Sequence, residues 1–263
     1  MGEAIVVTSG KGGVGKTTTS ANIGTALALL GKKVVLVDTD IGLRNLDVIM
    51  GLENRVIYDL IDVAEKRCRL EQALIKDKRF DELYMLPAAQ TKDKDDITTD
   101  SMLSIITELK QTHDFVIIDC PAGIEQGFRN AIAGAERAII VTTQETAAVR
   151  DADRVIGLLE QHKIPSKLVV NRVRPAMMKR GEVLEINDIC QVLAIDLLGI
   201  VPEDEKVISG SNAGEPVSLN PTFKSGLAYR NIARRMLGDM VPLMTLNEKT
   251  GTLTKLRKFF GMS

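Results

Sequence analysis

Two rhythms of apolar residues alternate along this chain. Runs of aliphatic and β-branched residues occur at 4–8 (AIVVT), 33–38 (KVVLVD), 83–88 (LYMLPA), 115–120 (FVIIDC), 138–143 (AIIVTT), 168–171 (LVVN) and 197–202 (LLGIVP). They are continuous rather than alternating with polar residues, so they predict strands buried on both faces, as in a parallel sheet. Between most of them lie stretches that read as helices, at 16–30, 100–111, 146–162 and 222–237, with Gly31 placed to end the first. Strand–helix alternation of this kind predicts an α/β fold: a doubly wound, mostly parallel sheet with helices on both faces. Right-handed crossovers then gather the loops after each strand along one edge, where ligand chemistry is expected. The charged run 92–96 (KDKDD) reads as a solvated loop. The pattern divides the chain into a main domain at 1–240, a weak mixed linker at 241–251 and a basic–apolar tail at 252–263.

Composition narrows the picture. The chain has 263 residues, 44% of them hydrophobic, which is enough for a real core. Aromatics make up 3% and Trp is absent, so Val, Ile, Leu and Ala must fill the interior. A net charge of −1 argues against a general polyanion binder. Cys68, Cys120 and Cys190 are far apart, with no CxxC, which leaves no zinc pair or redox motif and suits small buried residues in a reducing cytoplasm. Strand-like sequence directly after Met1 leaves no room for a signal peptide. No apolar run reaches the roughly 20 residues that span a bilayer.

The chemistry begins after the first strand. Residues 10–17, GKGGVGKT, match GxxxxGK[ST] between a predicted strand and a predicted helix. Gly10, Gly12, Gly13 and Gly15, with Val14, let backbone N–H groups curl around phosphate oxygens, and the helix N-terminus adds partial positive charge. Lys16 is placed to reach the β- and γ-phosphates, and Thr17 to offer its hydroxyl to Mg²⁺, with Thr18 completing the first turn. Carboxylates close two further strands. Asp38 ends the second, near the metal shell, and Asp40 lies two residues on, where it can orient water. Asp119 ends the apolar run 115–118 in the Walker B manner and would hold Mg²⁺ directly or through water. Pro121 and Gly123 then form a turn whose Gly123 amide can face a γ-phosphate.

Lys11 adds a second lysine that an ordinary phosphate loop does not need. With it, KGGVGKT resembles the signature of the deviant Walker A (ParA–MinD) family of P-loop ATPases. The family uses that early lysine across a dimer interface, against the partner's nucleotide, much as an arginine finger acts elsewhere. The resemblance spans about residues 3–263 through KGGVGKTT, VDTDIGLRNLDVIMGLENR, LPAAQTKDKD, IIDCPAGIE, VPEDEKVI and the tail. These segments together are similar to the septum-site-determining branch of the family. The resemblance implies Mg²⁺-dependent hydrolysis of ATP to ADP and phosphate, with Lys11, Lys16, Asp40 and Asn45 as the catalytic set and Thr17, Asp38 and Asp119 around the metal. It implies adenine contacts from Asn171, Arg172 and the backbone of Pro202, Glu203 and Asp204. Arg172 and its neighbour Arg174 otherwise have no assigned task. It also implies an ATP-dependent homodimer in the cytoplasm, peripheral on the inner face of the membrane. The expected partners are a MinC-type division inhibitor and MinE or another topological factor, with no specific nucleic acid.

The tail reads TLTKLRKFFGMS. At about 100° per residue, Leu253, Leu256 and Phe260 fall within about 60° of one another, with Phe259 to one side and Lys255, Arg257 and Lys258 toward the other face and flanks. This pattern predicts a short basic amphipathic helix lying on anionic lipid. Docking on its own protein or a partner is the alternative. Three other members of the superfamily compete for the whole chain. A ParA-type DNA-partitioning ATPase would bind DNA through surface lysines and arginines, against which the net charge and the tail argue. An iron–sulfur scaffold ATPase would need cluster cysteines. A metabolic ligase would need a second substrate pocket.

Overall fold

The computed structural model describes residues 1–91 and 97–244. The predicted loop 92–96, most of the linker and the whole tail lie outside them. Eight strands form one sheet: β1 (Glu3–Thr8), β2 (Val34–Asp38), β3 (Ile75–Lys76), β4 (Leu83–Leu86), β5 (Phe115–Asp119), β6 (Arg137–Thr142), β7 (Ser166–Val173) and β8 (Leu197–Pro202). Their order is β3-β4-β2-β5-β1-β6-β7-β8, with β3 antiparallel to β4 and every other pairing parallel. Seven strands coincide with the apolar runs. The two-residue β3 was not predicted.

The strands are buried on both faces because neighbouring residues feed different cores. Ala4 and Val6 pack on one side and Ile5 and Val7 on the other. The first side is covered by α3 (Leu60–Ala64), α5 (Thr99–Thr112), α6 (Gln126–Ile132), α7 (Thr146–Gln161) and α9 (Ile186–Leu193), with α4 (Leu70–Ala73) beside α3. The second is covered by α1 (Lys16–Leu29), α2 (Leu46–Met50) and α11 (Lys224–Met236). The remaining helices, α8 (Pro175–Lys179) and α10 (Glu205–Asn212), are short and follow β7 and β8. The sheet is thus doubly wound.

Helix α1 is buried on nearly all sides, and its Thr-, Ser- and Ala-rich sequence permits this. Its polar groups find partners: Ser20 donates to Asp119 Oδ1 at 2.8 Å, Asn22 Oδ1 accepts from the Ser218 amide at 2.9 Å, and Thr19 meets the Tyr229 hydroxyl at 3.3 Å. Buried hydroxyls and amides are tolerated only when bonded in this way. Helix α11 packs along β8 with its start near Asp204, which accepts from Ser225 Oγ at 2.8 Å. Its end lies at the opposite edge, where Arg235 Nη1 donates to the Leu198 carbonyl at 3.0 Å. Among the described residues, no helix is long and apolar enough to cross a membrane.

Candidate nucleotide site

The loop between β1 and α1 wraps over the C-terminal edge of the sheet, with β1 held between β5 and β6. Gly15 caps α1 with φ of 98°, a left-handed conformation that side chains resist. A Cβ there would also sit 2.3 Å from Asn171 Nδ2. That amide donates to the Val14 carbonyl at 2.8 Å, so the end of β7 braces the phosphate loop directly.

The two lysines of the loop are disposed oppositely. Lys16 is buried, 7% exposed, and donates to Ser9 Oγ at 3.0 Å. Lys11 stands at the rim, its side chain 43% exposed, and pairs with Glu145 at 3.0 Å. Glu145 precedes α7 and was not singled out in the sequence, since 134 residues separate it from Lys11.

The carboxylates behind the loop divide their tasks. Asp38 and Asp119 face each other in the register of β2 and β5, both buried. Asp38 is tied to backbone: it accepts from the Asp40 amide at 2.9 Å and the Leu46 amide at 3.2 Å, which shapes the turn into α2. Asp119 has one oxygen on Ser20, while Oδ2 is buried with no partner of hydrogen-bonding geometry. Burial pushes the Asp119 carboxyl up to about 6, against the opposing pull of Ser20, Thr17 and Lys16. Burial, and then the neighbouring Asp119, also raise Asp38. Two adjacent buried acids, one with a bare oxygen beside a threonine hydroxyl, suit a divalent cation: the cation would satisfy the oxygen and hold both groups ionised.

In front of the loop lies a cleft of about 800 Å³ lined by Gly12, Gly13, Lys16, Thr17, Asp40, Leu43, Asn45, Ala122 and Arg172. A second cavity, about 590 Å³, adjoins it through Gly15, Thr18 and Arg172, and is lined by Asn171, Pro202, Glu203, Asp204, Val207 and Ile208. The first has the donors of a phosphate site. The second combines the apolar side chains of Pro202, Val207 and Ile208 with polar groups at its rim, a lining that suits a base. The structure therefore brings the sequence-predicted phosphate, water and base residues into one continuous groove. Gly10 lies in the loop, packed against Asp151.

Other contacts that frame the groove were not visible in the sequence. Arg174 Nε donates to Glu203 Oε2 at 2.6 Å, which joins the loops after β7 and β8 and gives this arginine a task. The Asp204 carboxylate caps α10 through the Lys206 amide at 3.0 Å. Val207 and Ile208 add apolar wall to the base cavity. Cys120 is buried as expected, but Cys68 and Cys190 are only half-buried. Their places on α9 and a short turn give them one solvent side.

The fold and the loop define a P-loop nucleotide-binding protein. The CobQ/CobB/MinD/ParA nucleotide-binding-domain family matches residues 5–217. The septum site-determining protein MinD of Bacillus subtilis is 62% identical over 266 residues, covering 100% of this chain and 99% of that one. MinD in the MinC:MinD complex of Aquifex aeolicus is 48% identical with a TM-score of 0.87, over 93% of this chain and all of that one. MinD of Pyrococcus horikoshii, complexed with Mg-ADP, is 29% identical with a TM-score of 0.82, over 92% of this chain and 100% of that one. The chain belongs to the MinD family of septum-site-determining, nucleotide-binding proteins, and its role lies in the placement of cell division.

Proposed function

We propose that this chain is an ATP-hydrolysing switch whose ATP form dimerises, grips the membrane and carries a division inhibitor to it. The observation that carries this reading is the pair of lysines on one loop: Lys16 turned inward, Lys11 outward at the rim. A phosphate bound inside needs the first. The second is useful only to something that arrives from outside, such as the nucleotide of a second subunit.

In this reading the backbone of Gly10–Gly15 and the Lys16 ammonium bind the β- and γ-phosphates, with Thr17 and Thr18 closing the turn. Thr17 and Asp119 would hold Mg²⁺, with Asp38 beside them. Held there, the ion would supply positive charge to offset that of the phosphates. Asp40 and Asn45 line the same cleft and orient the attacking water, a positioning effect expressed in the transition state. Asn171, Arg172 and the backbone of Pro202, Glu203 and Asp204 receive the adenine. The Mg-ADP complex of the Pyrococcus relative supports nucleotide and metal, and the Aquifex MinC:MinD complex supports a MinC-type partner. MinE or another topological factor and anionic lipids complete the set, with the protein cytoplasmic and peripheral on the membrane.

The membrane step rests on the tail sequence. Helix α11 runs from the base cavity to the far edge of the sheet, so the end of the described chain leaves the fold away from the groove. ATP therefore acts by number: a dimer carries two tails. Each basic residue adds about 1 kcal/mol on anionic lipid, and the apolar side chains add partial burial, offset by ordering of the segment. One tail alone binds weakly. Two bind with avidity higher by about 10²–10⁴.

Co-sedimentation with anionic vesicles in ATP and in ADP tests the reading. Binding in ATP alone, lost on deletion of residues 252–263 while ATP-dependent dimerisation persists, is the expected result. The Lys11→Ala protein should bind ATP as a monomer and fail to dimerise. Retained dimerisation by that variant would sink the outward-lysine argument. ATP-dependent binding to DNA instead of vesicles would favour the partitioning alternative.

A further inference from the structure

Away from the phosphate loop, one guanidinium gathers an unusual set of partners. Arg79, in the turn between β3 and β4, is held on both sides by Asp77: Nε donates to Oδ1 at 3.0 Å and Nη2 to Oδ2 at 2.7 Å. Asp77 is itself buried, 2% exposed. With its charge matched, the guanidinium directs two of its remaining hydrogens to backbone carbonyls. Nη2 donates to Met50 O at 2.7 Å and Nη1 to Gly214 O at 2.8 Å.

Those carbonyls mark the ends of two helices. Met50 is the last residue of α2, and Gly214 lies just past the end of α10. Their beginnings lie at the nucleotide groove. Asn45, at the N-cap of α2, lines the phosphate cleft, and Asp204, at the N-cap of α10, lines the base cavity. The helices meet at Gly51 and Gly214, both left-handed with φ of 65° and 68°. A Cβ on Gly214 would lie 2.5 Å from Gly51 Cα. The contact is thus backbone on backbone, with no side chain to cushion a shift.

We propose that Arg79 is a positioning residue for ATP hydrolysis. By clasping the far ends of α2 and α10 it fixes the Asp40–Asn45 segment relative to the base cavity, so that bound nucleotide and attacking water share one frame. This rests on the ATPase reading given above. The physical ground is that short helices move as rigid rods. Helix α2 is bonded at its start by the Asp38 turn and only packed at its end, where the clasp on the Met50 carbonyl removes the remaining freedom to tilt. The phosphate loop does not use the clasp, so nucleotide binding and hydrolysis should separate when it is lost. A displacement of about 1 Å at a positioning group can cost roughly 10²-fold in rate.

The test compares ATP turnover and ATP affinity of the full chain with those of Arg79→Lys, Arg79→Ala and Gly214→Ala. Lys keeps the partner of Asp77 but cannot reach both carbonyls, which guards against loss of the fold. Gly214→Ala leaves the guanidinium and forces the helices apart. Arg235→Ala serves as the control, because it also removes a guanidinium from several carbonyls, at the opposite edge. The expected result is a kcat lower by about 10- to 100-fold in the Arg79 and Gly214 variants, with KM within about threefold of the parent. The Arg235 variant should show similar thermal destabilisation and nearly parental kcat. A folded Arg79→Lys protein with parental kcat overturns the clasp, as does an equal loss of kcat in Arg235→Ala. Absence of turnover in the parent chain overturns the ATPase reading itself, and the clasp with it.

Discussion

The two edges of the sheet are built on opposite principles. At the edge where the strands end, polar groups are left open. Asp119 has a bare buried oxygen, burial and the facing Asp119 raise the Asp38 carboxyl, and a long groove runs from Asp40 to Ile208. At the edge where the strands begin, donors and acceptors are matched. Arg235 spreads over the carbonyls of Leu198, Val241 and Pro242, and Glu136 accepts from the Ala4 amide and pairs with Lys110. The Asp114 carboxylate takes the Lys33 amide. Unsatisfied groups cost free energy in a folded protein unless something arrives to satisfy them. The first edge is therefore organised around a ligand and the second around the fold.

Substitutions on the two edges should therefore fail in different ways. The largest effect is expected from Lys16→Ala. It removes the buried cation from the phosphate site, a change that typically costs about 2–5 kcal/mol, or roughly 30- to 4,000-fold in Kd for ATP. Isothermal titration measures this, and the melting temperature of the free protein should hardly move. Next comes Asp40→Ala, whose kcat should fall by about 10²–10³ while ATP binding persists. An unchanged rate in that variant would transfer the water-orienting role to Asn45 or Asp38.

The opposite edge answers in stability. Arg235→Ala should cost about 2–3 kcal/mol, because carbonyls lose a charged donor, and should lower the melting temperature by several degrees without changing Kd for ATP. Should that variant lose nucleotide affinity instead, the contrast between the edges breaks. Acidification offers a milder probe. His113, packed edge-to-face on Tyr84, has its pKa lowered chiefly by burial, so the unfolded state takes up a proton more readily than the folded one. Stability should then be full at neutral pH and decline as pH falls below the ordinary imidazole range, a slope that His113→Gln should reduce. Smallest of all is Glu145→Ala. Its ion pair with Lys11 is well exposed, so the loss in stability should stay below about 1 kcal/mol. Analytical sedimentation in ATP should show at most a modest shift toward dimer, since Lys11 no longer has to leave a partner.

What could be read from the sequence follows the same division. The long strands and helices were legible because their apolar rhythm is sustained over several turns or a full strand, and the phosphate loop because its chemistry is contiguous. Strand β3 and helices α2, α3, α4 and α8 are too short to carry a period, so they passed unseen. The partners that tune the groove were hidden for a different reason. Glu145 and Lys11 are 134 residues apart, Arg174 and Glu203 are 29 apart, and Arg79 reaches Gly214 across 135. Only the crossovers of the sheet make them neighbours. Ser9 and Ser20 flank the motif in sequence, yet nothing local says that the one receives Lys16 and the other Asp119.

The sheet's own margins bear on how copies of such a molecule could meet. An exposed strand is a template for another strand, and identical chains brought together at a surface would find each other's margins easily. Here β3 supplies only two residues, runs against its neighbour and offers little ladder to extend. At the other margin the Leu198 carbonyl of β8 is already occupied by a side chain. Growth by strand addition is discouraged on both flanks. The association proposed above would then fall to the loops at the ligand edge, where it could be made and undone without risk of a fibre.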